Sequence, residues 1–382
     1  MSRVNKKTVC IIGPFPPPLH GQSAAVKSLA DSPLLQDKYN IIKVDYAYKW
    51  STCKYLTGLY KIAECWKMLR NLRKLISQYR IDIFYLTISS SNQGAFRDWL
   101  ITKTISKELD HAKFIIHHHS GNFKSFYNAA SNRCRSLVNY YLSKADRVIV
   151  LTPRLRQLFD GLISDDKIRV VSNGISSNDI IPDCVVNDKI ESLAQRSDIH
   201  ILYLSVMYRL KGFFELLQAA PLLLKAGINF DMTFAGVFRN TIDKRRFDEY
   251  VQKNDLTRNV VYKGLAIGAE KRELLSKGDI FVLPTSLEEG QPISILETMA
   301  SGMAIITTDH GGIIDVVKDQ INGIILPEAS PRAIAEAVIN LCNNRSSFVK
   351  ICELNMRTAN DMYLEEHYIQ NMINVFDEVG DI

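Results

Sequence analysis

The chain has no apolar run approaching the roughly 18 residues that a membrane-crossing helix needs. None of its seven cysteines forms a C-x-x-C pair. The first absence argues against a spanning segment. The second, with the odd count (Cys10, Cys53, Cys65, Cys134, Cys184, Cys342 and Cys352), argues against a disulfide framework or a zinc site and for a reducing cytoplasm. A G-x-G-x-x-G after the first apolar segment is also missing, which disfavours a nicotinamide dehydrogenase. The N-terminal apolar stretch, Val9 to Ile12, stops at Gly13-Pro14. That is too short for a signal peptide and reads as a buried first strand. We find no internal repeat and no low-complexity segment.

Acidic residues are scarce in the first half. Residues 1–180 carry 27 Lys and Arg against 13 Asp and Glu, a net +14, whereas residues 181–382 carry a net −8. Incidental drift would give such totals, but so would a basic half facing an acidic partner: nucleic acid, anionic lipid or a phosphorylated substrate. The basic excess is densest over 49–80, where eight cations stand against Glu64 alone, interleaved with Trp50, Tyr55, Tyr60 and Trp66. Such a stretch can lie in the headgroup plane of an anionic membrane. It can equally be a domain helix with its apolar side in the core.

What is present is a regular alternation. Short apolar runs at 9–13, 40–45, 81–87, 113–119, 147–152 and 168–174, then at 199–205, 231–236, 260–264, 280–286, 304–309 and 323–327, are separated mostly by helical patterns. Strands of this kind belong to parallel sheets buried on both faces. Twelve are too many for one ordinary sheet. The expected class is therefore α/β with two doubly wound, Rossmann-like domains facing across a cleft. The boundaries expected are 1–178 for the first domain, a polar linker over 179–196, 197–360 for the second domain, and a C-terminal helix over 361–382 packing back on the first.

In such sheets ligands gather at the carboxyl ends of strands. Gly21 precedes a good helix, so it is either a plain turn or a place where an anion meets a helix N-terminus. His117, His118 and His119 end a strand, with His117 and His119 on one face. They lack companions for a metal site, and either solvation or a substrate-orienting role suits them. Lys211-Gly212 precedes a helix, where the ammonium is a surface charge or a diphosphate partner. In PTSLEEGQPISILETMASG, Pro292 suits the first position of a helix that stops at Gly302. Glu289 and Glu297 would then lie about 12 Å apart along the axis. A glycosidase pair needs roughly 5–9.5 Å, so these acids look placed to grip separated parts of one long ligand, such as a sugar–diphosphate–ribose chain. Glu297 could instead be a buried acid satisfied locally.

Taken together these residues resemble glycosyltransferase family 4, the retaining group 1 enzymes with the GT-B fold. The resemblance rests on Glu289 and Glu297 in the form P-T-S-x-E-E-G-x-P-x-x-x-L-E. It includes His20-Gly21-Gln22, the His117/His119 strand end, Asn173-Gly174-Ile175, Lys211-Gly212 and Gly311-Gly312-Ile313. It implies that Glu297 holds the ribose, Glu289 the donor sugar near its 3- and 4-hydroxyls, and Lys211 the diphosphate. His119 would meet the sugar near its 6-hydroxyl. Gly21 and Gln22 would admit the phosphate, and Gly290, Gln291, Pro292 and Ile293 would face it at the helix start. Glu289, Lys211 and His119 would be catalytic. The Arg that many members carry five residues before Lys-Gly is Val206 here, which leaves Arg209 as a second cation, and the acid of the Gly-Gly-Ile turn is Asp315. No metal and no cofactor beyond the nucleotide-sugar is implied, and the chain has no D-x-D.

The implied activity is transfer of a sugar from a nucleotide-sugar to a saccharide or lipid-linked acceptor, in cell-surface polysaccharide, lipopolysaccharide or glycolipid synthesis. The setting implied is the cytoplasm, with residues 49–80 docking on the inner face of the membrane, and no nucleic-acid partner. A nucleotide-sugar epimerase on the same scaffold and a non-catalytic nucleotide-sugar binding protein are the alternatives.

Overall fold

A computed structural model describes residues 6–17, 19–47 and 57–380, with side chains for all of these but 57–61. Among the described residues twelve strands form two six-stranded sheets, and every strand pairing is parallel. Each sheet is the centre of its own compact unit. Unit 1 comprises Met1–Gly174 with Glu365–Ile382, and unit 2 comprises Ile175–Leu364.

In unit 1, β1 (Thr8–Gly13), β2 (Asn40–Asp45), β3 (Ile83–Ile88), β4 (Lys113–His118), β5 (Arg147–Val150) and β6 (Ile168–Val170) lie in the order β2-β1-β3-β4-β5-β6. Val9, Ile11, Ile83, Tyr85 and Ile115 are buried on one face, and Cys10, Ile12, Phe84, Leu86 and Phe114 on the other. Burial on both faces is why these strands read as unbroken apolar runs rather than alternating ones. The first face is covered by α1 (Gly21–Asp31) and by the C-terminal helix (Glu365–Gly380), which adds Tyr368, Met372, Ile373 and Phe376 to the core. The second is covered by α2 (Thr57–Gln78), α3 (Asn92–Ile105) and α4 (Asn132–Lys144). The C-terminal helix is fastened by charge as well. Glu378 pairs with Arg169 and, at 2.7 Å, with Arg147, and Arg169 first and then Arg147 pull its carboxyl down to about 2.

In unit 2, β7 (Ile199–Leu204), β8 (Phe230–Ala235), β9 (Val260–Gly264), β10 (Ile280–Leu283), β11 (Ala304–Thr308) and β12 (Gly323–Leu326) lie in the order β12-β11-β10-β7-β8-β9. The order reverses between β10 and β7. That switch point is where a doubly wound sheet opens a crevice for a ligand.

Residues 179–196, expected as a linker, are not one. They hold α5 (Asp183–Leu193), whose Val186, Ile190 and Leu193 enter the unit 2 core. The sequence reads as polar because Asp183, Asn187, Asp188 and Glu191 dilute an apolar stripe that helical spacing gathers on one side. A Cβ at Gly302 would stand 2.7 Å from side-chain atoms of both Val186 and Ile190, so the glycine is what lets α5 settle there. Lys189 of the same helix donates 2.6 Å to the carbonyl of Gly278 and also to that of Ser301. Unit 2 also holds α6 (Phe213–Lys225), and these two carbonyls cap the ends of α7 (Gly268–Lys277) and α8 (Ile293–Ala300).

Candidate functional site

Three loops, after β7, β10 and β11, meet around Glu289. Lys211 Nζ lies 2.8 Å from Glu289 Oε1 and 3.0 Å from Oε2, and Thr285 Oγ1 donates to Oε1 at 3.0 Å. The pair is largely buried, with side-chain exposures of 17% and 12%. Glycines make the convergence sterically possible. Gly212 has φ +79°, and a Cβ there would stand 2.2 Å from the Pro284 carbonyl oxygen. Next to it Ser286 N donates to Leu210 O at 2.7 Å. Gly311 has φ +62°, and its Cβ would stand 2.0 Å from the Glu289 carbonyl oxygen, which accepts from Gly312 N at 3.0 Å. Lys-Gly and Gly-Gly are therefore backbone requirements of the loops that carry the charges.

Arg209 shares the Lys211 turn, but its guanidinium lies over the Phe214 ring at 4.1 Å and 3.9 Å from Glu215. Its charge is turned to α6 rather than to Glu289. Gly290 and Gln291 are buried, and Pro292 and Ile293 are half-buried. Pro292 is the N-cap of α8, with extended backbone, and Ile293 is the first helical residue. The sequence places Pro292 one position further in, and such boundaries shift by a residue or two.

Glu297, on α8, is 5% exposed. Its Oε1 accepts from Lys271 Nζ of α7 at 2.7 Å, and Lys271 also meets Asp179 Oδ2 at 3.1 Å. Burial pushes the Glu297 carboxyl up, and the Lys271 cation opposes that. For Lys271, burial acts to lower the pKa, but Glu297 and Asp179 outweigh it and the ammonium is raised. The two acids of the motif thus sit with different cations, Glu289 with Lys211 and Glu297 with Lys271. Glu289 lies in a loop, so the helical rise does not measure their separation.

Gly21, Gln22 and His119 belong to unit 1. Gly21 is the first residue of α1, with Gln22 next, and His20 caps the helix: its Nδ1 accepts from Ser23 N at 3.3 Å. His119 follows β4, its ring centroid 3.9 Å from that of His117 and tilted 30° to it, and His117 Nδ1 lies 2.7 Å from Tyr85 Oη. Burial first, then neighbouring histidines, depresses His117 far below its ordinary value and His119 to about 3, while burial takes His118 to about 4. All three are neutral imidazoles at neutral pH. Among the described residues the Nε2 atoms of His117 and His119 and that of Gln22 are buried without a hydrogen-bond partner. Among the described residues no group of three or more His, Cys, Asp or Glu is placed to hold a metal ion.

Sequence reasoning missed Lys271, Thr285 and Asp179. Thr285 stands inside the quoted motif and was open to notice. Nothing in AEKRELLSK separates Lys271 from its charged neighbours.

A family model for glycosyltransferase family 4 matches residues 24–179, and one for glycosyl transferases group 1 matches residues 187–360. An amylovoran biosynthesis glycosyltransferase of Erwinia amylovora is 24% identical over 163 residues, 41% of this chain and 39% of that one. An uncharacterised glycosyltransferase of Methanocaldococcus jannaschii is 24% identical over 245 residues, 62% of this chain and 61% of its own length. The match thus spans less than two thirds of either relative. The crystal structure of Anabaena HepE in complex with UDP has the same fold, with a TM-score of 0.74 at 13% identity, over 97% of this chain and 100% of that one. Matched in both units by these models, the chain belongs to the family 4, group 1 glycosyltransferases and has their two-domain GT-B fold.

Proposed function

We propose that this glycosyltransferase moves a sugar from a nucleotide-sugar, bound by unit 2, to a saccharide or lipid-linked acceptor, bound by unit 1. The transfer retains the anomeric configuration and serves a cell-surface polysaccharide, lipopolysaccharide or glycolipid. The observation that carries this reading is the Lys211–Glu289 pair beside the β7/β10 switch point. A diphosphate competes for the ammonium and draws it from the carboxylate. The freed oxygens then accept the 3- and 4-hydroxyls of the sugar, with Thr285 Oγ1 keeping them in place. As the glycosidic bond breaks, charge grows on the departing diphosphate, and a fixed ammonium stabilises that charge more than the ground state. Glu297 takes the ribose, Gly290, Gln291 and Ile293 offer backbone N–H groups on either side of Pro292 at a helix start, and Arg209 adds positive charge nearby. In unit 1, Gly21 and Gln22 suit an anion at the start of α1. His119 offers a neutral imidazole to a sugar hydroxyl through an Nε2 without a hydrogen-bond partner among the described residues. Lys211 supplies the leaving-group stabilisation in this reading, with no metal or cofactor. The UDP bound to HepE and the amylovoran relative support a nucleotide donor and a polysaccharide product.

The test is nucleoside-diphosphate release from UDP-, GDP- and ADP-sugars, with and without saccharide or polyprenyl-linked acceptors, and the anomeric configuration of the product by NMR. Acceptor-dependent release with retention supports the proposal. Isomerisation without acceptor would make the chain an epimerase, and binding without release a sugar-nucleotide binding protein.

The enzyme is proposed to act in the cytoplasm, at the inner face of the membrane, with no nucleic-acid partner. No described helix is long and apolar enough to cross a membrane. Of the basic stretch 49–80, residues 49–56 lie outside the described residues. The remainder is largely α2, which packs Met68, Leu69 and Leu72 into the core and leaves Ile62 and Trp66 57% exposed. Lys67, Arg70, Arg73 and Lys74 of α2, Lys103 of α3 and Arg133 and Lys144 of α4 are exposed on the same sheet face, where Phe96 is 51% exposed. Exposed cations beside exposed rings suit an anionic headgroup layer. Sedimentation with phosphatidylglycerol vesicles at low and high salt tests this, and no binding at low salt removes the membrane from the reading.

A further inference from the structure

The ribose-binding role of Glu297 leaves a physical difficulty. A carboxylate on the buried side of a helix is pushed toward its neutral form, which accepts hydroxyl donors poorly and has a freely rotating proton. The structure contains the remedy in the next helix. Lys271 Nζ reaches Glu297 Oε1 at 2.7 Å, with side-chain exposures of 17% and 6%. Among the described residues the other oxygen, Oε2, has no hydrogen-bond partner, so one oxygen is anchored and the other is open. Lys271 is itself held from behind by Asp179 Oδ2 at 3.1 Å, and that segment is clasped a second time where Arg272 Nη1 donates to Asn178 O at 3.0 Å. Two carboxylates and one ammonium form a closed chain: segment 178–179, α7, α8.

Resting on the donor reading above, we infer that Lys271 is the positioning residue of the ribose site: it fixes the Glu297 carboxylate, ionised and in one orientation, for the nucleotide's ribose hydroxyls, and Asp179 holds Lys271 in place. The alternative is a structural strut whose loss lowers stability and leaves nucleotide recognition alone. Recognition of the ribose separates the two, because a strut has no means of sensing one hydroxyl.

The experiment is calorimetry on the full chain with UDP, GDP and ADP and their 2′-deoxy forms, for wild type, K271M, K271R, E297Q and the K271M/E297Q double variant, each checked for its melting transition. We expect wild type to prefer one ribonucleotide over its 2′-deoxy form. K271M should weaken that ribonucleotide about tenfold or more, as loss of a charged hydrogen bond does, and bring its preference close to that of E297Q. K271R should restore most of the preference, and the double variant should lose no more than the weaker single one. K271M keeping the wild-type preference would overturn the proposal, as would losses that add fully in the double variant. K271R supplies the comparison if K271M does not fold, and K271R behaving like E297Q would then overturn it. Wild type binding none of the three diphosphates would overturn the donor reading itself, and this inference with it.

Discussion

Mild acid should weaken unit 1 through its histidine triplet, and His118 is the member whose share is easiest to isolate. It is 1% exposed, with its ring 5.1 Å from that of Phe123 and 6.0 Å from that of Phe159. Its Nε2 lies 3.4 Å from Ser90 Oγ. Burial among these rings takes its pKa to about 4, against about 6.5 in the unfolded chain. Between those values the unfolded chain binds a proton that the folded unit refuses. Stability therefore falls as pH falls, by at most about 1.4 kcal/mol per pH unit for each such histidine. From pH 6.5 to 4.5 His118 alone accounts for about 2 kcal/mol, a sizeable part of an ordinary domain's stability. His119, at about 3, and His117 act in the same direction. The three tryptophans, Trp50, Trp66 and Trp99, all fall in residues 1–174, so intrinsic fluorescence during urea unfolding reports on unit 1. Measured at pH 7, 6 and 5, the slope of stability against pH should be shallower in H118Q than in wild type by about 1 kcal/mol per unit on average. Equal slopes would mean that His118 titrates as an ordinary histidine and would refute the reasoning.

Three further outcomes concern the unit 2 site, with a unit 1 glycine as the comparison for the first. Gly311→Ala should displace the Glu289 loop and abolish most activity, since its Cβ would meet backbone at 2.0 Å; Gly161→Ala, with φ +75° and open space around it, should show backbone strain alone and full activity. Lys211→Ala should lower kcat about a hundredfold, the effect of losing one preorganised charge, and activity near wild type with normal melting would reassign the diphosphate cation to Arg209 or another group. Glu297→Ala should weaken the bare nucleoside diphosphate by about 1.5–3 kcal/mol while Glu289→Ala mainly lowers turnover, and equal losses of nucleotide affinity by calorimetry would dissolve that division.

The strands and their grouping into two sheets were legible in the sequence because burial on both faces writes long apolar runs. Residues 40–45, for example, are β2 from end to end. The motif around Glu289 was legible for a different reason: Gly212, Gly311 and Pro292 mark the backbone that the loops require. Charges that act across the fold were not legible. Lys189 reads as one more polar residue of a linker, yet it donates to the ends of two helices, and burial pushes its ammonium down to about 8. Lys271 reads as a solvated helix charge and stands 26 residues from the carboxylate it holds. Only the tertiary fold brings such a cation to its acid. The sequence marks Glu289 and Lys211 separately, but nothing in it states that they form a pair before any ligand arrives.

The central claim is that the loops after β7, β10 and β11 of unit 2 form the nucleotide-sugar site. Amide hydrogen exchange of the full chain, with and without a saturating nucleoside diphosphate, tests it most directly. Protection is expected to concentrate in residues 205–212, 284–293 and 309–312. Nucleotide binding that left all three segments unchanged would contradict it.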